Sequence, residues 1–218
     1  MKRYAVIGLG VFGMRLAGSL EKMGGEVIAV DRDPAKIEEI KDAVSVALVM
    51  DSTDEDALRE QGIDQVDAAV VCIGEHFEAN VLTTVHLKNM GVGLVIARAA
   101  EGIQSQILTR VGADRVVHPE EEIAERLSRQ LCQQNIVDFV RISSSFHAAE
   151  LSAPKAFWGK TLSEIQLRQK FGINLIALSR SNAAGKEEHV PGADTRVEEG
   201  DKLIVVGRQN DIEYLAGL

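Results

Sequence analysis

Short apolar runs alternate with amphipathic stretches along the first half of the chain, and the alternation repeats. Tyr4-Ala5-Val6-Ile7 is apolar throughout and of strand length, and Val11 to Met23 follows with helical spacing before Gly24-Gly25. Val27 to Val30, ending at Asp31, predicts a second strand, and Pro34 suits the first turn of a helix running to about Lys41. Val44 to Met50 predicts a third strand, and Asp54 to Gln61 a helix with Gly62 at its end. Ala68 to Ile73 reads as a fourth strand, with a helix from about Phe77 to Met90 behind it. Leu94 to Arg98 reads as a fifth, before a helix from about Ile103 to Val111 that Gly112 stops. Arg115 to His118 makes a short sixth before Pro119. Strands without polar alternation, separated by helices, predict a parallel sheet covered on both faces. The expected class is α/β: a Rossmann-type doubly wound sheet over residues 1–118.

After Pro119 the pattern changes. Glu120 to Gln134 is strongly helical, with Ile123, Leu127 and Leu131 on one face, and predicts a crossover helix and linker over 119–136. Residues 137–218 predict a small α+β domain. Its strands are expected at Val137 to Ile142, about Ala148 to Leu151, Ile173 to Ser179 and Lys202 to Val206. One helix is expected near Leu162 to Phe171 and a short final one from Asp211. Asn182-Ala183-Ala184-Gly185-Lys186 has the composition of a hairpin turn.

Composition narrows the classes. With 218 residues there is room for two cores, and at 4% aromatic content these must be aliphatic. A formal charge of −9 argues against a nucleic-acid partner, which would need a basic face. Cys72 and Cys132 stand far apart without metal-like spacing, as expected of a reducing cytosol. No apolar stretch approaches the ~18 residues of a membrane span. The first residues lead straight into a strand, so no signal peptide is expected.

Gly8-Leu9-Gly10-Val11-Phe12-Gly13 matches G-x-G-x-x-G directly between a predicted strand and a predicted helix, the context that gives the motif meaning. Gly8 permits the tight turn, Gly10 lets backbone approach a pyrophosphate, and Gly13 lets helix pack on strand. The first-turn N–H groups and the positive helix end then face an anion. Asp31, at the end of the second strand, is expected to accept hydrogen bonds from the adenosine ribose hydroxyls. Its charge disfavours NADP, although Arg32 beside it softens that exclusion. On this reading, Asp31→Ala should weaken nucleotide binding with little loss of fold. Asp51-Ser52-Thr53 either contacts the adenine edge or caps the next helix. Ile73-Gly74-Glu75 and Arg98 end the fourth and fifth strands on the edge where ligands bind, and complete the expected cofactor-binding set.

Several segments carry a resemblance. They are Ala5 to Gly13, Val30-Asp31, Asp51-Ser52-Thr53, Val70 to Gly74, the run Asn80-Val81-Leu82-Thr83-Thr84 and, most telling, Val111-Gly112-Ala113-Asp114-Arg115-Val116-Val117-His118-Pro119-Glu120. Later come Trp158 to Leu162, Gly172 to Leu178, Pro191 and Glu199 to Gly207. Over nearly its whole length the chain resembles the TrkA/KtrA family of potassium-uptake regulators, built from an RCK N-terminal nucleotide-binding domain and a small RCK (TrkA) C-terminal domain.

The resemblance implies a regulatory gating-ring subunit and no enzyme. It implies a homodimer that assembles to an octameric ring, cytoplasmic and peripheral to the inner face of the membrane, beneath a potassium-translocating TrkH/KtrB-like subunit. Membrane contact would come only through that partner, and ATP, ADP or NAD(H) would set the dimer hinge. By similarity Glu120 would face the terminal phosphates, through Mg2+ or Ca2+; it also reads as the acidic first-turn residue of the helix after Pro119. Many KtrA-like members carry an arginine where this chain has Val11, which leaves NAD(H) or AMP-type ligands open beside ATP and ADP. Some relatives bind cyclic di-AMP in the C-terminal domain. Ile165, Phe171, Ile173, Asn174, Leu175 and Pro191 lie in the matching segments and read equally as plain dimer core.

Two rival readings remain. An NAD-dependent oxidoreductase would need a proton donor over the nicotinamide, and the five scattered histidines read more simply as surface or capping residues. A nucleotide-sensing transcription regulator would need a basic DNA-binding module.

Overall fold

The computed structural model describes residues 1–132, 135–182 and 185–218. They fall into two compact units, Met1–Glu122 and Ile123–Leu218.

In the first unit the strands are β1 (Arg3–Ile7), β2 (Glu26–Asp31), β3 (Val46–Val49), β4 (Ala68–Val71), β5 (Val95–Arg98) and β6 (Arg115–Val117). The helices between them are α1 (Val11–Lys22), α2 (Pro34–Ile40), α3 (Glu55–Glu60), α4 (Phe77–Asn89) and α5 (Gly102–Arg110). The strands form one parallel sheet of order β3-β2-β1-β4-β5-β6. Period-2 alternation explains why the interiors of the central strands are apolar at successive positions: Ala5, Ile7, Ile28, Val30, Ala69 and Val71 enter one core. Val6, Val27, Ala29, Val70 and Cys72 enter the core on the other face. Strand order reverses direction between β1 and β4, and Ile7 pairs with both Val30 and Val71. The crevice at the carboxyl ends of these strands is therefore where a Rossmann sheet takes its ligand.

In the second unit β7 (Ile136–Arg141), β8 (His147–Ser152), β9 (Asn174–Asn182), β10 (Gly185–His189) and β11 (Lys202–Gly207) form an antiparallel sheet of order β10-β9-β11-β8-β7. Helix α6 (Pro119–Cys132) precedes it; its expected end at Gln134 lies outside the described residues.

The predicted helix over Leu162 to Phe171 is broken in two, α7 (Leu162–Ile165) and α8 (Leu167–Phe171). Ile165 and Leu167 both enter the core, yet residues two apart on a helix point about 200° away from each other. Gln166, at φ 55°, reorients the chain so that both can be buried. Thr161 opens α7 with a capping box, its hydroxyl accepting from the Glu164 N–H while the Glu164 carboxylate accepts from the Thr161 N–H. Strand β10 was not predicted. Its exposed Glu187, Glu188 and His189 give no alternating pattern, because it is a charged edge strand. The expected hairpin joins β9 to β10, with Ala183 and Ala184 outside the described residues. A final helix, α9 (Gln209–Ala216), packs Ile212 and Leu215 into the core.

Candidate functional site

The glycine turn leaves β1 between the ends of β2 and β4. The Gly8 N–H donates to the Val30 carbonyl at 2.8 Å, and Gly8 sits at φ 93°, a conformation that favours glycine. A Cβ there would also stand 2.9 Å from the Ile73 nitrogen. At Gly13 a Cβ would overlap the Gly8 carbonyl and stand 3.2 Å from the Cys72 Cβ, so helix-on-strand packing demands glycine. Gly10 differs. It begins α1 at φ −69°, and a Cβ there would meet nothing within 4 Å. Among the described residues nothing requires glycine at that position. No side chain caps α1, whose first N–H groups lack intrahelical partners, and Phe12 is half-buried while Val11 is 88% exposed.

Asp31 is only 7% exposed and holds this turn in place. Its Oδ2 accepts from the Leu9 N–H at 2.6 Å and from Lys36 Nζ at 3.2 Å, and its Oδ1 accepts from the Asp33 N–H at 2.9 Å. Burial pushes the carboxyl up, but the hydrogen bonds from Leu9, Asp33 and Lys36 outweigh it and leave its pKa below the ordinary value. The expectation that Asp31→Ala would spare the fold is corrected here: the residue is an internal anchor of the glycine turn, not a solvent-edge contact.

The segment after β3 divides its three residues. Asp51 accepts from the Thr53 N–H and hydroxyl at 2.9 and 2.8 Å, which depresses its pKa, with a smaller contribution from the charge of Arg32. Ser52 is 6% exposed, its hydroxyl bonded to that of Thr83 at 2.8 Å, which turns it toward the core. The helix cap expected in this triplet belongs to Asp54, whose side chain accepts from the Ala57 N–H. Arg32, exposed, approaches His76 Nε2 at 2.6 Å.

At the ends of β4 and β5 stands Asn80, which the sequence reading quoted within a family-like run but gave no role at the site. It is 1% exposed, and its amide donates to the Ile73 carbonyl at 2.8 Å and the Arg98 carbonyl at 2.9 Å, tying the two strand ends together. An asparagine one turn into the helix after a strand was the available signal. The Arg98 guanidinium lies against Gly74, where a Cβ would collide with it, and forms an ion pair with Glu120. Burial pushes the Glu120 carboxyl up, and the Arg98 contacts more than reverse this to a depressed pKa. Glu75 is exposed beside them. Glu120 is matched to a guanidinium, and among the described residues no three His, Cys, Asp or Glu side chains converge.

The second unit carries a groove of about 420 Å³ between α7, α8 and the start of β9. Ile173, Asn174 and Leu175 line it, together with Arg168, an exposed cation that the sequence reading did not single out. Of the other residues expected there, Ile165 is core and Phe171 packs edge-on against Phe157 at 5.7 Å, while Pro191 is half-buried and outside the lining.

The sheet order and glycine turn define the class: a Rossmann-type unit followed by a separate antiparallel-sheet unit. Residues 4–119 match the TrkA-N domain and residues 146–218 the TrkA-C domain, so the chain belongs to the TrkA family of two-domain proteins. It is 37% identical over 212 residues to Ktr system potassium uptake protein C of Bacillus subtilis, covering 97% of this chain and 94% of the relative. Among solved structures, the GsuK channel bound to NAD superposes over 100% of this chain with a TM-score of 0.55 at 23% identity, which supports the fold. GsuK bound to ADP matches 61% of this chain with a TM-score of 0.51 at 25% identity. This chain spans 38% and 34% of those two channel chains.

Proposed function

We propose that this protein is a nucleotide-sensing regulatory subunit of a potassium-uptake system. In this reading residues 1–118 form the RCK nucleotide-binding domain, 119–136 the crossover helix and linker, and 137–218 the RCK/TrkA C-terminal domain. The observation that carries the ligand is Gly10: ordinary backbone and open space at an uncapped helix start, a position where only an incoming group gains from the missing Cβ. An adenine nucleotide, NAD(H) or ATP/ADP with AMP as a smaller variant, would lay its phosphates there. Its ribose would meet the remaining acceptor capacity of Asp31 Oδ1, and Ile73, Gly74 and Glu75 would border the far end. Asp51 and Thr53 border the adenine end; Ser52 supports them from below. Arg98 and Glu120 stand as a charge pair that phosphates would compete for, with no step assigned to Mg2+ or Ca2+.

The ligand biases the partner only through its differential affinity for two conformations of the assembly, a homodimer building an octameric ring. The partner is a membrane potassium-translocating subunit of TrkH/KtrB type, and the protein sits at the cytoplasmic face; among the described residues no helix is long and apolar enough to cross a membrane. Cyclic di-AMP would take the second groove, with Arg168 offered to phosphate and Asn174 to the base. The relationship to the Ktr potassium uptake proteins, over nearly the whole of both chains, favours this regulator over an oxidoreductase.

The test is thermal melting of the purified chain against ATP, ADP, AMP, NAD+, NADH, NADPH and cyclic di-AMP. Ligands that bind the folded state raise the melting temperature by mass action. Stabilisation by adenine nucleotides or NAD(H) but not by NADPH is expected. Absence of any shift would remove the sensing function while leaving the fold intact.

A further inference from the structure

We propose that His76 belongs to the nucleotide crevice as the resting partner of Arg32, and that the two side chains form a latch over the glycine turn which an adenine nucleotide displaces on binding. The proposal rests on the crevice being a nucleotide site. Arg32 directly follows β2, and His76 lies between β4 and α4. Strand β1 runs between β2 and β4, so their ends are two strand spacings apart, roughly 9–10 Å, with the glycine turn in the gap. The contact of Arg32 Nη2 with His76 Nε2 at 2.6 Å therefore closes across the mouth of the turn.

The chemistry of the contact has one direction. A guanidinium only donates, so in this contact Nε2 is the acceptor. His76 precedes α4, yet its ring makes no capping hydrogen bond to that helix, which leaves it available to Arg32. From the other side the Asp51 carboxylate acts on Arg32 through its charge. Both latch residues are exposed, so their hydrogen bond forms in water and is weak enough to exchange. Asp31 and Lys36, by contrast, are engaged with each other. Arg32 is thus the cation at the β2 end whose partner can be exchanged. Its planar guanidinium, once released, suits the face of an adenine ring.

The two ends of the latch have opposite consequences for binding. His76→Ala removes a competitor and is expected to tighten ADP about threefold, the size of one exposed hydrogen bond. Arg32→Ala removes the group that the ligand recruits and is expected to weaken ADP about fivefold, as for a lost cation–π contact. In the double variant the gain from His76→Ala should vanish, because nothing is left to release. His76→Gln, which keeps an acceptor, is expected to restore affinity toward wild type. All four proteins should melt close to wild type when unliganded, since both positions are exposed. Calorimetric titration of the full chain with ADP, repeated with NAD+, reads the whole cycle. Effects of the same sign, or a double variant that is simply additive, would overturn the latch and leave the nucleotide site standing. Failure of the wild-type chain to bind either probe would overturn the site and the latch together.

Discussion

Each unit has a buried aspartate, and the two are held in different ways. Asp201 in the second unit is 1% exposed and accepts two hydrogen bonds from Arg180, both at 2.7 Å, plus one from the Glu198 N–H at 2.8 Å. Burial pushes its carboxyl up, and Arg180 with the Glu198 N–H brings it below the ordinary value. Arg180 in turn donates to the Arg196 carbonyl and pairs with Glu198. This is a closed arrangement that serves the sheet. Asp31 accepts from Lys36 and from the Asp33 N–H, as well as from the Leu9 N–H of a turn that opens to solvent, so its ionisation stabilises fold and ligand crevice together. Both aspartates have a cation and a backbone N–H as partners; what sets Asp31 apart is the Leu9 N–H, which links its charge to whatever the glycine turn binds.

The comparison can be broken hardest at Asp201. Asp201→Ala strips the partner from a partly buried guanidinium and should cost about 3–4 kcal/mol, read as a lowered unfolding midpoint, with ADP affinity unchanged. A fall in ADP affinity at matched folded fraction would show that the second aspartate is not confined to the fold. Asp31→Asn comes next. It sets an amide donor against a backbone donor in the turn and should cost about 2 kcal/mol while also weakening ADP. Loss of stability with full affinity would place Asp31 alongside Asp201 as a residue of the fold alone. Gly10→Ala should have the smallest effect on stability, within about 1 kcal/mol because the space is open, yet should impair ADP binding because the new methyl occupies the path of the phosphates. Full binding by that variant would remove the observation on which the ligand reading rests.

Much of the first unit was legible because a two-sided parallel sheet leaves a strong mark. Strands buried on both faces are apolar at every position, and glycines and proline mark where helices begin and end. The second unit was less legible for the converse reason. An antiparallel sheet with a charged edge strand hides β10, and a reversal at Gln166 looks from composition like unbroken helix. The same division runs through the site. Gly8, Gly13 and Asp31 could be singled out from spacing because each answers a local demand of strand–turn–helix geometry. Lys36 and Arg168 could not, since their roles depend on which strand ends and helices the fold brings beside them.

Sequence alone determined the order of elements in the first unit, its parallel sheet and the position of the glycine turn, because these rest on local periodicity and on steric requirements within a few residues, while its motifs carried the family resemblance. Tertiary structure decided the rest. Ser52 turns inward to Thr83, Glu120 meets Arg98, Arg32 meets His76 across β1, and Asp31, expected as a ribose acceptor, anchors the glycine turn. The physical reason is that a polar side chain takes its role from the donors and acceptors within about 3 Å of it, and those arrive from distant parts of the chain.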